Sequence, residues 1–180
     1  MSVTVVEFTT LDGVVEDPDG SGGTPTGGWA FRHGPEAVSG DKFRLGSLLD
    51  TGVLLFGRTT WELFAKLWPG RSGAFPDRLN AAAKLVASRT LHDVSAWQNS
   101  VLLQGDLAAA VQREERDVVV IGSIGIAQEL ARHGLVDEYR LLVFPSVAGA
   151  GRRLFADAVD FDLVSATQAG PAILSTYRTR

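Results

Sequence analysis

The chain has 180 residues, 45% hydrophobic and 21% charged, which suits one soluble globular domain with a sizeable core. Its formal net charge is −4 with no block of like charge, which argues against a nucleic-acid-binding protein working through a broad basic face. The absence of cysteine excludes disulfides, thiolate metal sites and cysteine nucleophiles. Met1 to Glu7 has neither a basic start nor a long apolar run, so a cytoplasmic protein without a membrane span is expected.

Val3 to Thr9 is rich in β-branched residues and reads as the first strand. Leu11-Asp12-Gly13-Val14 turns out of it. Asp17 to Gly28 is crowded with glycine and proline and reads as a loop, followed by Trp29, which packs it back onto the body. Ser39 to Asp50 is expected to be a helix with Asp41, Leu45, Leu48 and Leu49 on one face. Val53 to Phe56 is a buried strand closed by Gly57. Thr59 and Glu62 have capping-box spacing, and Trp61, Phe64, Ala65 and Trp68 give the following helix one apolar face, to about Leu67.

Phe75 to Ala82 reads as a short helix, and Lys84 to Ser88 and Ser100 to Leu103 as short strands. Asp106 caps a helix with Leu107, Ala110 and Val111 on its face. Asp117 to Gly122 is the clearest buried strand, and it enters a helix from Ser123 to His133 that Gly134 stops. Tyr139 to Phe144 is a strand. Asp160 to Gln168 and Ala172 to Arg178 form an antiparallel pair. The order predicts a single α/β domain over residues 1–180. Its sheet is mixed and mainly parallel, flanked by helices, with an antiparallel hairpin at the end.

Three strand ends carry polar or glycine motifs: Gly57-Arg58-Thr59, Ser88-Arg89-Thr90 and Gly122-Ser123-Ile124-Gly125. If their strands are parallel, all three lie along one sheet edge, where open α/β sheets bind ligands. Two of them would offer helix N-termini to a diphosphate, and two carry arginines suited to a further phosphate. The dinucleotide fingerprint and the phosphate-loop pattern are both absent. Ile121 stands where a nucleophile elbow needs glycine. His33, His92 and His133 share no metal-site spacing. Asp41, a carboxylate beside apolar residues, is the acid–base candidate, with helix capping as the alternative.

Further segments extend the pattern. Thr10-Leu11-Asp12-Gly13 follows the first strand, and Leu55-Phe56-Gly57-Arg58-Thr59-Thr60-Trp61-Glu62 and Val86-Ala87-Ser88-Arg89-Thr90-Leu91 follow in turn. Leu135-Val136-Asp137-Glu138, Pro145 and Gly149-Ala150-Gly151-Arg152-Arg153-Leu154-Phe155 complete the series. Together they resemble the dihydrofolate reductase fold. Within it they are similar to the reductase domain of the bacterial riboflavin-biosynthesis deaminase–reductase and its stand-alone relatives.

The resemblance implies NADPH as hydride donor and a homodimer. It implies that Gly57, Arg58, Thr59 and Thr60 hold phosphates and that Ser88, Arg89 and Thr90 meet the 2′-phosphate. Gly122, Ser123, Ile124, Gly125 and Ile126 would line the diphosphate and nicotinamide. Asp41 stands sixteen residues before Gly57, matching the catalytic carboxylate of dihydrofolate reductases. Asp12 and Trp29 would shape the substrate side. The implied activity is NADPH-dependent reduction of a small pterin, flavin or aminopyrimidine, as in 5-amino-6-(5-phosphoribosylamino)uracil reduction. Dihydrofolate reduction proper and non-catalytic nucleotide or flavin binding are the alternatives. A zinc deaminase half is not expected in a chain without cysteine.

Overall fold

The computed structural model describes residues 1–180. Its strands are β1 (Val3–Thr10), β2 (Val53–Gly57), β3 (Ala83–Ala87), β4 (Ser100–Leu102), β5 (Val118–Ile121), β6 (Glu138–Phe144), β7 (Phe161–Ala169) and β8 (Ala172–Thr179). The α-helices are α1 (Leu48–Thr51), α2 (Arg58–Leu67), α3 (Ala74–Ala81), α4 (Leu107–Arg113) and α5 (Ile124–Arg132). The strands form one mixed sheet in the order β4-β3-β2-β5-β1-β6-β8-β7. The chain divides into two compact units, Met1–Val5 with Arg44–Asp137, and Val6–Phe43 with Glu138–Arg180.

The first unit is a parallel α/β layer. β2 pairs in parallel with β3, Gly57 opposite Ala87, and with β5, Leu55 opposite Val120. β3 pairs in parallel with β4. Val53 to Phe56 are all fully buried, as a strand covered on both faces requires. Asp106 caps α4 as expected, its side chain accepting from the Ala109 amide at 2.9 Å. Gly134, at φ +64°, ends α5. Its amide bonds to Ala131 O and the next amide, Leu135, to Leu130 O, which satisfies carbonyls that the helix end would leave open.

Two expected helix starts are corrected. The helix expected from Ser39 to Asp50 is only Leu48–Thr51. Gly40, Arg44 and Gly46 all sit at positive φ, and left-handed residues cannot propagate a right-handed helix. The capping box at Thr59 does not form. Gly57 is the N-cap, with no side-chain cap bond, and Glu62 pairs instead with Arg58 one turn back, at 3.0 Å.

The second unit is antiparallel. β8 pairs with β6 on one side and with β7 on the other, and the β7–β8 ladder shifts register between Leu163 and Ser165. Its core gathers Trp29, Leu142, Phe144, Ala172 and Leu174, with Phe8 and Phe43 packed against it. The glycine-rich loop is folded around Asp17. That carboxylate accepts from the Gly22 amide at 2.7 Å, the Thr24 amide at 2.9 Å and the Thr24 hydroxyl at 2.8 Å.

Glu7 is a buried carboxyl in this unit, and its Oε1 has no hydrogen-bond partner. Burial pushes its pKa up to about 8, against a smaller opposing pull from Arg152. At neutral pH the folded chain therefore holds a proton that the unfolded chain, titrating near 4.5, has released. Stability is thus expected to fall as pH rises from 4.5 to 8, by up to about 1.4 kcal/mol per pH unit. Glu7→Gln should flatten that slope in urea denaturation run across the window; an unchanged slope would remove Glu7 as its source.

Candidate cofactor site

The three motifs fall where the parallel register puts them. Gly57 ends β2, and Ser88 and Gly122 follow β3 and β5; the three strands run side by side in one direction. The three strand ends therefore share one edge of the first unit.

Side chains and amides then stitch them together. The Gly57 amide donates to Ser123 Oγ at 2.9 Å, and the Ser123 amide donates to Thr60 Oγ1 at 3.2 Å. Each strand–helix turn thus binds the other. The fit is close: a Cβ on Gly122 would stand 3.2 Å from Thr60 Cγ2, and one on Gly57 3.3 Å from Ile126 Cγ1. Gly122 has φ +56°, and Ser123, the N-cap of α5, is also left-handed at φ 59° and ψ 51°. A serine rarely adopts that conformation, and here its hydroxyl compensates by joining the two turns. The Arg58 guanidinium donates to Thr90 Oγ1 at 2.9 Å, linking the first motif to the second.

What remains open is suited to an anion. Arg58, Thr59 and Thr60 form the first turn of α2, where an α-helix has no intrahelical acceptors for its amides. Ile124 and Gly125 open α5 in the same way, and a Cβ on Gly125 would meet nothing within 4 Å. Positive helix ends and an exposed Arg89 surround this edge. The residues present therefore fit a nucleotide diphosphate with a further phosphate beside it. The amides of Gly57 and Ser123, however, are already taken by protein oxygens.

The remaining sequence-predicted residues lie in the second unit. Asp12 is held well below the ordinary carboxylate range, at about 2, first by the Thr10 hydroxyl at 2.6 Å and then by the amides of Ala148 and Gly149. It ties the turn after β1 to the segment after β6. Trp29 is fully buried, its Nε1 donating to Glu16 O at 3.0 Å and its ring set edge-on to Phe144. Both build the loop. Asp41 is half-buried in a turn, not on a helix. Near it, Arg140 donates to Phe43 O at 3.1 Å.

Sequence reasoning missed an aromatic cluster in this unit. Phe8 stacks on Phe43 with ring centroids 5.3 Å apart, and Phe144 meets Phe8 edge-on at 5.3 Å. His33 tilts over Phe144 at 5.8 Å and shares a 2.8 Å hydrogen bond with Ser146 Oγ. No spacing signal links residues so far apart in the chain. The only hint was the density of aromatics around the glycine-rich loop.

A mixed, mainly parallel sheet flanked by helices and closed by an antiparallel hairpin defines the class, an α/β protein. The chain belongs to the RibD C-terminal domain family, whose model matches residues 1–175, and that family is one of reductase domains. Among solved structures it is similar to a putative riboflavin biosynthesis protein from Shewanella sp. PV-4, with a TM-score of 0.75 and 19% identity over 100% of this chain and 99% of that one. A pyrimidine reductase-like protein from Corynebacterium diphtheriae gives a TM-score of 0.70 at 10% identity, over 99% and 92% of the two chains. Acinetobacter baumannii RibD gives 0.65 at 13% identity, matched over 99% of this chain and 58% of that one. These likenesses show a shared fold. The uncharacterized protein YyaP of Bacillus subtilis is 27% identical over 114 residues, 58% of this chain and 60% of that protein's length. No helix of the chain is long and apolar enough to cross a membrane.

The interlock makes a direct prediction. Gly122→Ala forces a Cβ into a left-handed position against Thr60, costing about 1–2 kcal/mol. Ser123→Ala strips the Gly57 amide of its acceptor, costing about 1–3 kcal/mol. Urea denaturation should show both losses; wild-type midpoints in both variants would mean that the two turns are not coupled.

Proposed function

We propose that the chain is an NADPH-dependent reductase of a small planar heterocycle of the pterin, flavin or aminopyrimidine class, most closely a riboflavin-pathway aminopyrimidine. The observation that carries this reading is the shared edge. Three phosphate-suited motifs stand on adjacent parallel strands, joined by the Gly57–Ser123 and Arg58–Thr90 hydrogen bonds. The likeness to the putative riboflavin biosynthesis protein of Shewanella and the pyrimidine reductase-like protein of Corynebacterium supports the same reading.

In this reading the open amides of Arg58, Thr59, Thr60, Ile124 and Gly125 bind the diphosphate, and Ser88, Arg89 and Thr90 meet the 2′-phosphate. NADPH, when bound, supplies the hydride. Phe8 and Phe43, half-buried against the core of the second unit, are the aromatic side chains assigned to the substrate ring in this reading. Asp41 supplies or steers the proton that completes the reduction, with His33, beside Phe144, as a second proton-bearing group. The chain works as a homodimer, and the exposed Leu163, Val164 and Ile173 on the terminal hairpin provide apolar surface for it.

Purified protein should bind NADPH in calorimetric titration and oxidise it with at least one pterin, flavin or aminopyrimidine. Binding without oxidation of any of them would favour a nucleotide-binding protein without catalysis. Arg89→Ala should weaken NADPH by about tenfold, the loss of one charge-assisted phosphate contact, and leave NADH unchanged, because only NADPH carries the 2′-phosphate. Equal weakening would take Arg89 out of that role. Asp41→Asn should abolish turnover with NADPH binding intact; retained turnover would pass the proton to His33.

A further inference from the structure

Lys84 is the most unusual side chain in the first unit. It lies inside β3 at 1% exposure, although an ammonium is costly to bury. Its three donors are all used: Nζ bonds to Asn80 O at 2.9 Å, Ala82 O at 2.7 Å and Gln98 O at 3.1 Å. It also stands 4.4 Å from the centroid of the Trp97 ring. Burial lowers its pKa to about 8, so the charge is held against a real desolvation cost.

Its partners come from two places. Asn80 and Ala82 lie at the C-terminal end of α3, where carbonyls point outward and favour a cation. Gln98 lies on the segment that enters β4. The same two segments are bound again around Asn80. Its Oδ1 accepts from Trp97 Nε1 at 2.7 Å, and its carbonyl accepts from Gln98 Nε2 at 3.1 Å. Asn99 Nδ2 donates to Ala81 O at 2.8 Å, and the Lys84 amide donates to Asn99 O at 2.8 Å. Trp97 itself is 1% exposed and packs against Phe56 and Phe64.

An apolar side chain of similar length would fill this space but leave the carbonyls of Ala82 and Gln98 without this donor. What the ammonium adds is a clamp on residues 97–99, the return end of the loop that leaves β3 at Ser88. The outgoing end is held separately. Ser88 Oγ accepts from the amides of Thr90 and Leu91 at 3.2 and 3.0 Å, and Thr90 takes the Arg58 guanidinium. Between the two anchors the loop forms no helix or strand, and Arg89 is exposed at its start.

We propose that the Lys84–Asn80–Trp97 cluster is a positioning device for this loop, setting where Arg89 and Thr90 stand and hence the preference for NADPH over NADH. The inference rests on the NADPH reading above. None of the three side chains touches the nucleotide; they act through the loop.

The test is calorimetric titration of wild type, Trp97→Phe, Lys84→Met and Arg89→Ala with NADPH and with NADH. Trp97→Phe keeps an aromatic ring in the core while removing the indole donor to Asn80, so it carries the test if Lys84→Met does not fold. Both cluster variants should weaken NADPH by up to about tenfold, approaching Arg89→Ala, with NADH held within about twofold. A merely structural role would weaken both nucleotides alike, and that result overturns the proposal. So does an unchanged NADPH-to-NADH ratio in a folded Trp97→Phe protein. Wild-type protein that binds neither nucleotide overturns the cofactor reading itself, and the proposal with it.

Discussion

The hydrogen bond from the Gly57 amide to the Ser123 hydroxyl is the constraint around which the first unit is built. It forces β2 and β5 to end together, which their parallel register allows. It holds Ser123 in a left-handed conformation that serine otherwise avoids, directly after a left-handed Gly122. It also explains why small residues stand at these turns. Thr60 and Ile126 approach Gly122 and Gly57 so closely that any Cβ would have to move them. The result is two helix N-termini at adjacent strand ends, with their first amides facing outward.

The two units use their polar groups in opposite ways. In the first, amides at two helix starts and the Arg89 guanidinium are left open at one edge. In the second, the carboxylates of Asp12 and Asp17 are turned inward to hold their own loops, each accepting hydrogen bonds from backbone amides nearby or far along the chain. The second unit also gathers an aromatic cluster of Phe8, Phe43 and the buried Phe144, with His33 and Ser146 as its polar members. The first unit leaves polar groups open at one edge; the second uses its own to hold its loops.

Two buried ionisable groups show how differently a charge can be handled. Lys84 keeps a full set of acceptors and an aromatic face, so its cation has partners throughout. Glu7 has no such set; its Oε1 is unpartnered, and burial favours the protonated form. Lys84 stabilises a particular arrangement of chain segments, whereas Glu7 makes the second unit sensitive to pH.

By itself the sequence determined the order of strands and helices, because Val53–Phe56 and Val118–Ile121 are apolar runs that only covered strands can bury. It also determined the three strand-end motifs and the family, since these rest on residue types at fixed chain spacing. Tertiary structure decided what spacing does not encode. Left-handed turns at Gly40, Arg44 and Gly46 dissolved the helix that the apolar stripe around Leu45 and Leu49 suggested. Glu62 chose Arg58 over a cap. Asp12 and Trp29 became loop anchors through contacts with Ala148, Gly149 and Glu16. His33 met Ser146 from more than a hundred residues away. Local periodicity reports which face of an element is apolar; only the folded chain decides which distant oxygen an amide will find.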